Sequence, residues 1–263
     1  MTAGTGKMSD RFLPGIPGAL VEAAFRAAPG DEIASGKFDS PASSAALAAN
    51  ALGFFLKRAR DLPPLPGCEG ELWPARALTL ETTIRFPWRG GQHPVLDRLV
   101  VTSSALIGIE SKRYEPFRVK GTSSLSEAYW RPCRGEYMKG YEGVRDALRD
   151  DRRSYLRLNA AQLFKHAFAL RTDVHRNGPQ AGLRPILLYL YAEPEVWPTG
   201  GTPVDEGAIA RHRLEIETFA SAVAGDEVAF IACPYKTLLG SWTCSEDAGI
   251  RAHARSVLER YAP

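Results

Sequence analysis

Residues 95–101 and 106–113 are two runs of aliphatic and β-branched residues separated only by the small segment Thr102-Ser103-Ser104-Ala105. That pattern predicts a β-hairpin. A similar run at 77–86 precedes it, across the loop Pro87-Trp88-Arg89-Gly90-Gly91, so the three strands read as a meander. Upstream, a short helix is expected over 18–28, between Pro17 and Pro29. A longer one is expected over 41–60, opened by Pro41 and striped by Leu47, Leu52, Phe55 and Leu56. Downstream, a helix is expected over 140–149. Leu156, Leu163, Phe164, Ala167 and Phe168 then mark a helix over 154–172 whose other face carries Gln162, Lys165 and His166. The runs 184–191 and 228–233 read as buried strands, and 204–224 and 245–261 as helices, the last begun by Ser245-Glu246-Asp247. The order α, β, β, β, α, β, α, β, α predicts an α/β fold with a mixed central sheet flanked by helices. A loop-rich, partly helical extension over 1–40 would precede a single domain over 41–263.

The hairpin has a chemical consequence. A turn centred between Ser103 and Ser104 pairs 102 with 105, 100 with 107, and therefore Asp97 with Glu110. Directly opposed Cβ atoms stand about 4.5–5.5 Å apart, and like charges there destabilise a sheet. On strands otherwise nearly all apolar, two ionised carboxylates require a compensating cation. Lys112 shares a face with Glu110 and lies diagonally across from Asp97, while Ser111 points to the other face with its carbonyl available to a metal. The group suits a divalent metal and a phosphate. The plainer alternative is a structural ion pair between Glu110 and Lys112, with Asp97 capping the other edge.

Composition refines this picture. The 263 residues are 44% hydrophobic and carry a formal charge of only +3, but residues 111–180 hold 15 Lys or Arg against 8 Asp or Glu. A local basic excess suits a polyanion such as nucleic acid. Arg145, Arg149, Arg152, Arg153 and Arg157 have mostly helical spacing, interrupted by Asp146, Asp150 and Asp151, and would otherwise form a solvated surface. Cys68, Cys133, Cys233 and Cys244 lie far apart and form neither a zinc motif nor a disulfide framework. The first residues lack the apolar stretch of a signal peptide and no apolar run approaches a membrane span, so a cytoplasmic protein is expected. The segment Gly4-Thr-Gly-Lys-Met-Ser9 lacks the leading glycine and preceding strand of a phosphate-binding loop. His93, His166, His175, His212 and His253 show no paired metal spacing, and Cys233 reads as a buried structural thiol.

Asp97 followed by Glu110-Ser111-Lys112, on the second and third strands of an αβββαβ order, resembles the PD-(D/E)XK nuclease superfamily with its restriction-endonuclease-like core. The likeness extends to a subgroup with a Ser-Ser…Asn helix before the sheet, here Ser43-Ser44 and Asn50. An Asn-x-x-Gln-Leu helix follows the sheet in that subgroup, here Asn159, Gln162 and Leu163. Leu96 stands where the name-giving motif has proline. The resemblance implies a hydrolase, an endonuclease-type enzyme cutting phosphodiester bonds in DNA. Mg²⁺, or Mn²⁺ in its place, would be held by Asp97, Glu110 and the Ser111 carbonyl. It also implies that Lys112 positions or activates water and stabilises the charged transition state. Gln162 would orient a water or phosphate oxygen, Lys165 would contact the backbone, and Glu81 would be a further ligand. Nothing resembles a helix-turn-helix or zinc-finger reader, so a homodimer or a targeting partner would supply specificity. The competing expectations are a non-catalytic nucleic-acid-binding module that keeps the fold, and a structural protein with an ordinary ion pair.

Overall fold

The computed structural model describes residues 11–30, 32–87, 93–118, 125–131, 136–151 and 154–263. Strands β2 (Val95–Val101) and β3 (Ala105–Lys112) form the hairpin, with Val101 against Leu106, Val100 against Ile107 and Arg98 against Ile109. Thr102 closes the turn. Its N–H donates to the Ala105 carbonyl and its hydroxyl accepts the Ala105 N–H, both at 2.9 Å. Strand β1 (Ala77–Thr83) is antiparallel to β2, β4 (Arg184–Tyr191) parallel to β3, and β5 (Ala229–Pro234) parallel to β4. The result is a five-stranded mixed open sheet in the order β1-β2-β3-β4-β5.

Seven α-helices among the described residues cover it: α1 (Gly18–Ala27), α2 (Ser44–Leu52), α3 (Lys139–Asp150), α4 (Ala160–Val174), α5 (Glu206–Ala222), α6 (Tyr235–Thr243) and α7 (Ala248–Tyr261). Strand alternation divides the core in two. Ile107, Ile109 and Leu188 pack with Phe25 of α1, Leu47 of α2 and Trp242 of α6, whereas Leu106, Leu187 and Tyr189 pack with Phe164 of α4 and Phe219 of α5. The two parallel steps, β3 to β4 and β4 to β5, run in one direction along the sheet, so their crossover helices α3, α4 and α5 share a face. Phe12, Val21, Phe25 and Phe38 contribute to the opposite half of the core, so the segments 11–30 and 32–40 are packed against the sheet.

Several expected boundaries move, each for a visible reason. Helix α4 begins at Ala160 rather than 154 because the N–H groups of Leu156, Arg157 and Leu158 donate to the Glu215 carboxylate of α5 at 3.0, 2.7 and 2.8 Å. Asn159 then caps the helix by accepting the Gln162 N–H. Helix α2 is shorter than 41–60: Ser43 caps it by accepting the Ala46 N–H at 3.0 Å, and it gives way after Leu52 to a 3-10 turn over Gly53–Phe55. Strand β1 stops at Thr83, three residues early. Helix α6 was not expected, although its Tyr235, Leu238, Leu239 and Trp242 are all buried at i, i+3, i+4 and i+7. The segment 4–9, already set aside as a phosphate-binding loop, the loop tip at 88–91, Cys133, Arg152 and Arg153 lie outside the described residues.

Asn50 is a structural staple rather than part of a site. Fully buried on α2, it accepts the Leu13 N–H at 2.8 Å and donates to the Ala46 carbonyl at 2.9 Å and the Tyr261 hydroxyl at 2.8 Å. Asn50→Ala should therefore lower unfolding free energy by about 2 kcal/mol, the cost of stranding such partners, as read from denaturant titration.

Candidate active site

The hairpin register carries Asp97 to the position facing Glu110, one step beyond the last paired residues Arg98 and Ile109. There the ladder changes character. Asp97 Oδ2 accepts the Ser111 N–H at 2.7 Å, a side chain standing in for a backbone acceptor. Strand alternation also breaks at this point. Leu96 and Leu99 both pack on the α4 side, while Val100 packs on the α1 side and the Arg98 guanidinium lies 5.6 Å from the Phe25 ring. On β1 the pairs Leu80 with Arg98 and Thr82 with Leu96 leave Glu81 opposite Asp97. Glu81 has φ +47°, a left-handed conformation costing a non-glycine residue about 1–3 kcal/mol.

Four carboxylates and two cations converge here. Lys112 Nζ contacts Glu110 Oε1, and His166 Nδ1 of α4 lies 3.3 Å from Glu110 Oε2. Arg98, fully buried, reaches Glu81 Oε1 at 3.1 Å and the Asp97 carbonyl. Glu115 accepts from the Ser44 hydroxyl and, at 2.9 Å, from the Arg113 N–H. Ser111 points its hydroxyl to the opposite face, 2.7 Å from the Tyr235 hydroxyl. A cavity of about 420 Å³ exposes Glu81, Asp97, Lys112, Glu115 and Gln162 along its lining, with Arg118 beside them. Glu110 is fully buried.

Negative charge outweighs positive charge in this cluster, and the protonation equilibria respond. Burial, then Glu110 repulsion, raises Asp97 to about 6 despite Lys112, Arg98 and the Ser111 N–H. Burial also raises Glu81 to about 8, with Asp97 and Glu110 adding to the effect and Arg98 opposing it. Burial depresses Lys112, but the neighbouring carboxylates of Glu110, Asp97 and Glu115 outweigh it and hold the ammonium charged. Glu115 is lowered: burial pushes it up, and Lys112, Ser44 and the Arg113 N–H more than reverse that. Burial drives His166 down to about 3, so its imidazole is neutral at ordinary pH.

The residues expected from sequence divide accordingly. Asp97, Lys112 and Gln162 meet in the cavity, Glu110 lies against Lys112, and Glu81 joins them. Lys165 instead lies with its ammonium 5.0 Å from the Tyr129 ring. His166 is buried in the core and not on a polar outer face; its i, i+4 relation to Gln162 was the available signal. Arg98 and Glu115 were missed, since an arginine inside an apolar strand and a glutamate in a loop have no motif. Arg145 is buried, bonded to Asp146 and to the Tyr129 carbonyl at 2.9 Å, so it does not belong to an exposed basic stripe. Among the described residues no group of three or more His, Cys, Asp or Glu side chains is arranged to hold a metal ion. No helix there is long and apolar enough to cross a membrane. Comparison of the chain with protein-family models, curated proteins and solved structures finds no match.

Raised carboxylate pKa values have a definite sign for stability. The favourable contribution is complete below the ordinary values of 3.8 and 4.5, and is lost as pH rises through about 6 for Asp97 and about 8 for Glu81. Asp97→Asn, which can still accept the Ser111 N–H, should raise the melting temperature above pH 6 and leave it unchanged below pH 3.8. Thermal denaturation in EDTA across that range checks it.

Proposed function

We propose that this chain is a Mg²⁺-dependent nuclease of the PD-(D/E)XK type, built on a restriction-endonuclease-like core and hydrolysing phosphodiester bonds, with DNA the expected substrate. One observation carries the reading: Glu81 and Asp97 line the cavity with Lys112, and the buried Glu110 repels both, so these acids carry more negative charge than Arg98 and Lys112 offset. The donor set fits a hard divalent cation. Two carboxylates and a backbone carbonyl suffice for Mg²⁺, which binds oxygen and retains several waters. Asp97, Glu110 and the Ser111 carbonyl would hold the ion, with Glu81 next to them. When bound, Mg²⁺ supplies polarisation of a phosphate oxygen and lowers the pKa of a water.

The chain's own groups then have distinct tasks. Lys112, held protonated by its carboxylate neighbours, serves as a cation for phosphate oxygens and for charge developing in the transition state; it is not a proton acceptor. Neutral His166 packs its Nδ1 3.3 Å from Glu110 Oε2 on the core side. Gln162 lines the same cavity and orients a water or a phosphate oxygen. The Ser111 N–H holds Asp97 in place.

Purified protein should cut DNA with Mg²⁺ or Mn²⁺ and not in EDTA. Asp97→Ala, Glu110→Ala and Lys112→Ala should each lower the rate by at least about a hundredfold, as loss of a transition-state contact does. Cleavage that persists in EDTA overturns the proposal. Because a ligating carboxylate must be ionised, Mg²⁺ affinity should rise as pH climbs through about 6 and about 8, with proton release on binding. Calorimetry in buffers of different ionisation enthalpy reads both.

A second reading rests on the contacts of Glu110. Its two oxygens already face Lys112 and His166, an arrangement suited to a non-catalytic nucleic-acid-binding module. That module would bind DNA in a salt-sensitive way, would not cleave it, and would be indifferent to Lys112→Ala.

A further inference from the structure

Lys112 and Arg113 are neighbours at the end of β3, and adjacent strand residues point to opposite sides. Lys112 lines the candidate active-site cavity, whereas Arg113 lines a different one of about 510 Å³ together with Arg11, Phe38, Arg260 and Tyr261. A third hollow, of about 430 Å³, lies between them. It shares Ser40, Ala42 and Arg118 with the first cavity, and Ser40, Pro41 and Pro198 with the second. The three therefore form one groove around the carboxyl ends of the parallel strands β3 and β4, where open α/β sheets commonly bind ligands. Each section has the volume of a small-ligand pocket.

Beyond the carboxylate cavity the groove is cationic and aromatic, with Arg11, Arg113, Arg118 and Arg260 against Asp39. Trp197, half-buried, projects from a turn pinned by the Trp197 N–H donating to the Thr202 carbonyl at 2.7 Å. Its ring stacks on the buried Tyr114, with centroids 5.2 Å apart and 25° between planes, and the Arg118 guanidinium lies 5.8 Å from it. Arg113 is only 5% exposed; its guanidinium donates to the Pro41 and Tyr261 carbonyls, and its Nε has no acceptor. No carboxylate oxygen lies within ion-pair distance of that guanidinium among the described residues; it sits 5.0 Å from the rings of Tyr114 and Tyr261, and the Glu115 carboxylate attracts it only from farther off. A buried cation without a counter-ion is costly, and an incoming anion offsets the cost. The acids nearby are already engaged: Asp39 takes both oxygens to Arg11 at 2.7 and 2.8 Å, and Glu115 is bonded to Ser44 and the Arg113 N–H.

We propose that this groove carries a single strand of nucleic acid leading away from the carboxylate site, with one base stacked on Trp197 and backbone phosphates at Arg118 and at the Arg113 pocket. The proposal rests on the nuclease reading for the direction of the strand, and it narrows the substrate to unpaired nucleic acid. A base in a duplex cannot offer its face to Trp197, whereas an unpaired one can, and such stacking is tolerant of sequence.

Fluorescence anisotropy of labelled oligothymidylate, oligouridylate and a duplex of equal length tests this, in EDTA, on the wild type and on Asp97→Asn to lessen carboxylate repulsion. Single strands should bind at least about tenfold more tightly than the duplex. Trp197→Ala should weaken single-strand binding about tenfold, the size of one lost stack, and Trp197→Tyr should restore most of it. Arg118→Gln should reduce the slope of log affinity against log salt by about 0.7, one phosphate contact on a single strand. Equal binding of duplex and single strand overturns the proposal, as does unchanged binding by Trp197→Ala with a native circular dichroism spectrum. Metal-dependent cleavage that is indifferent to Trp197→Ala sinks the groove and leaves the nuclease reading standing. Binding as expected, with no cleavage in Mg²⁺ or Mn²⁺, does the reverse.

Discussion

Repulsion among buried carboxylates is the interaction around which the β1, β2 and β3 strands are arranged, and hairpin register is what imposes it. Pairing Val101 with Leu106 leaves Asp97 facing Glu110, and the Thr102 contacts to Ala105 that close the turn hold that register. The sheet accommodates the clash by ceasing to be a regular sheet. Asp97 takes over a backbone acceptor's role toward Ser111, Leu96 and Leu99 end on the same side, and Glu81 adopts a left-handed backbone. Arg98, buried, and Lys112, half-buried at the cavity, meet part of the charge and do not fully meet it.

Such an arrangement is expensive to fold and so belongs where function resides. An apolar residue at Asp97 or Glu81 would spare the sheet both desolvation and repulsion. The expense is contained by a well-packed surround: Ile107 and Ile109 on one side of β3, Phe164 and Leu170 on the other, and helix α4 pressing neutral His166 onto Glu110. A protonated His166 would have neutralised the carboxylate locally. Its burial removes that option and leaves the surplus facing the cavity.

The carboxyl ends of the strands gather the rest. Segment 40–42 and the turn bearing Trp197 bridge sections of one groove, whose cations include the exposed Arg118 and the buried Arg113. The charge asymmetry of residues 111–180 is thus spatially selective. Arg118 borders the groove, while Arg145 is consumed internally by Asp146 and the Tyr129 carbonyl.

Local pattern was sufficient for the elements whose cause is local. The bounds 95–101 and 184–191 are those observed, because short continuous apolar runs and, for the first, a four-residue turn contain their own reasons. From the same pattern follow the Asp97 to Glu110 register and the shared face of Lys112. The start of α4 did not follow, since Glu215, some sixty residues on, draws the N–H groups of Leu156 to Leu158 away from helix formation. Nor did the roles of Arg98, Glu115 and His166, whose partners come from other elements, or the shift of Asn50 from motif residue to staple for Leu13 and Tyr261. Side-chain alternation is a property of one strand and can be read from it; the sum of charges in a buried volume depends on which distant segments pack there, and only the folded chain brings them together.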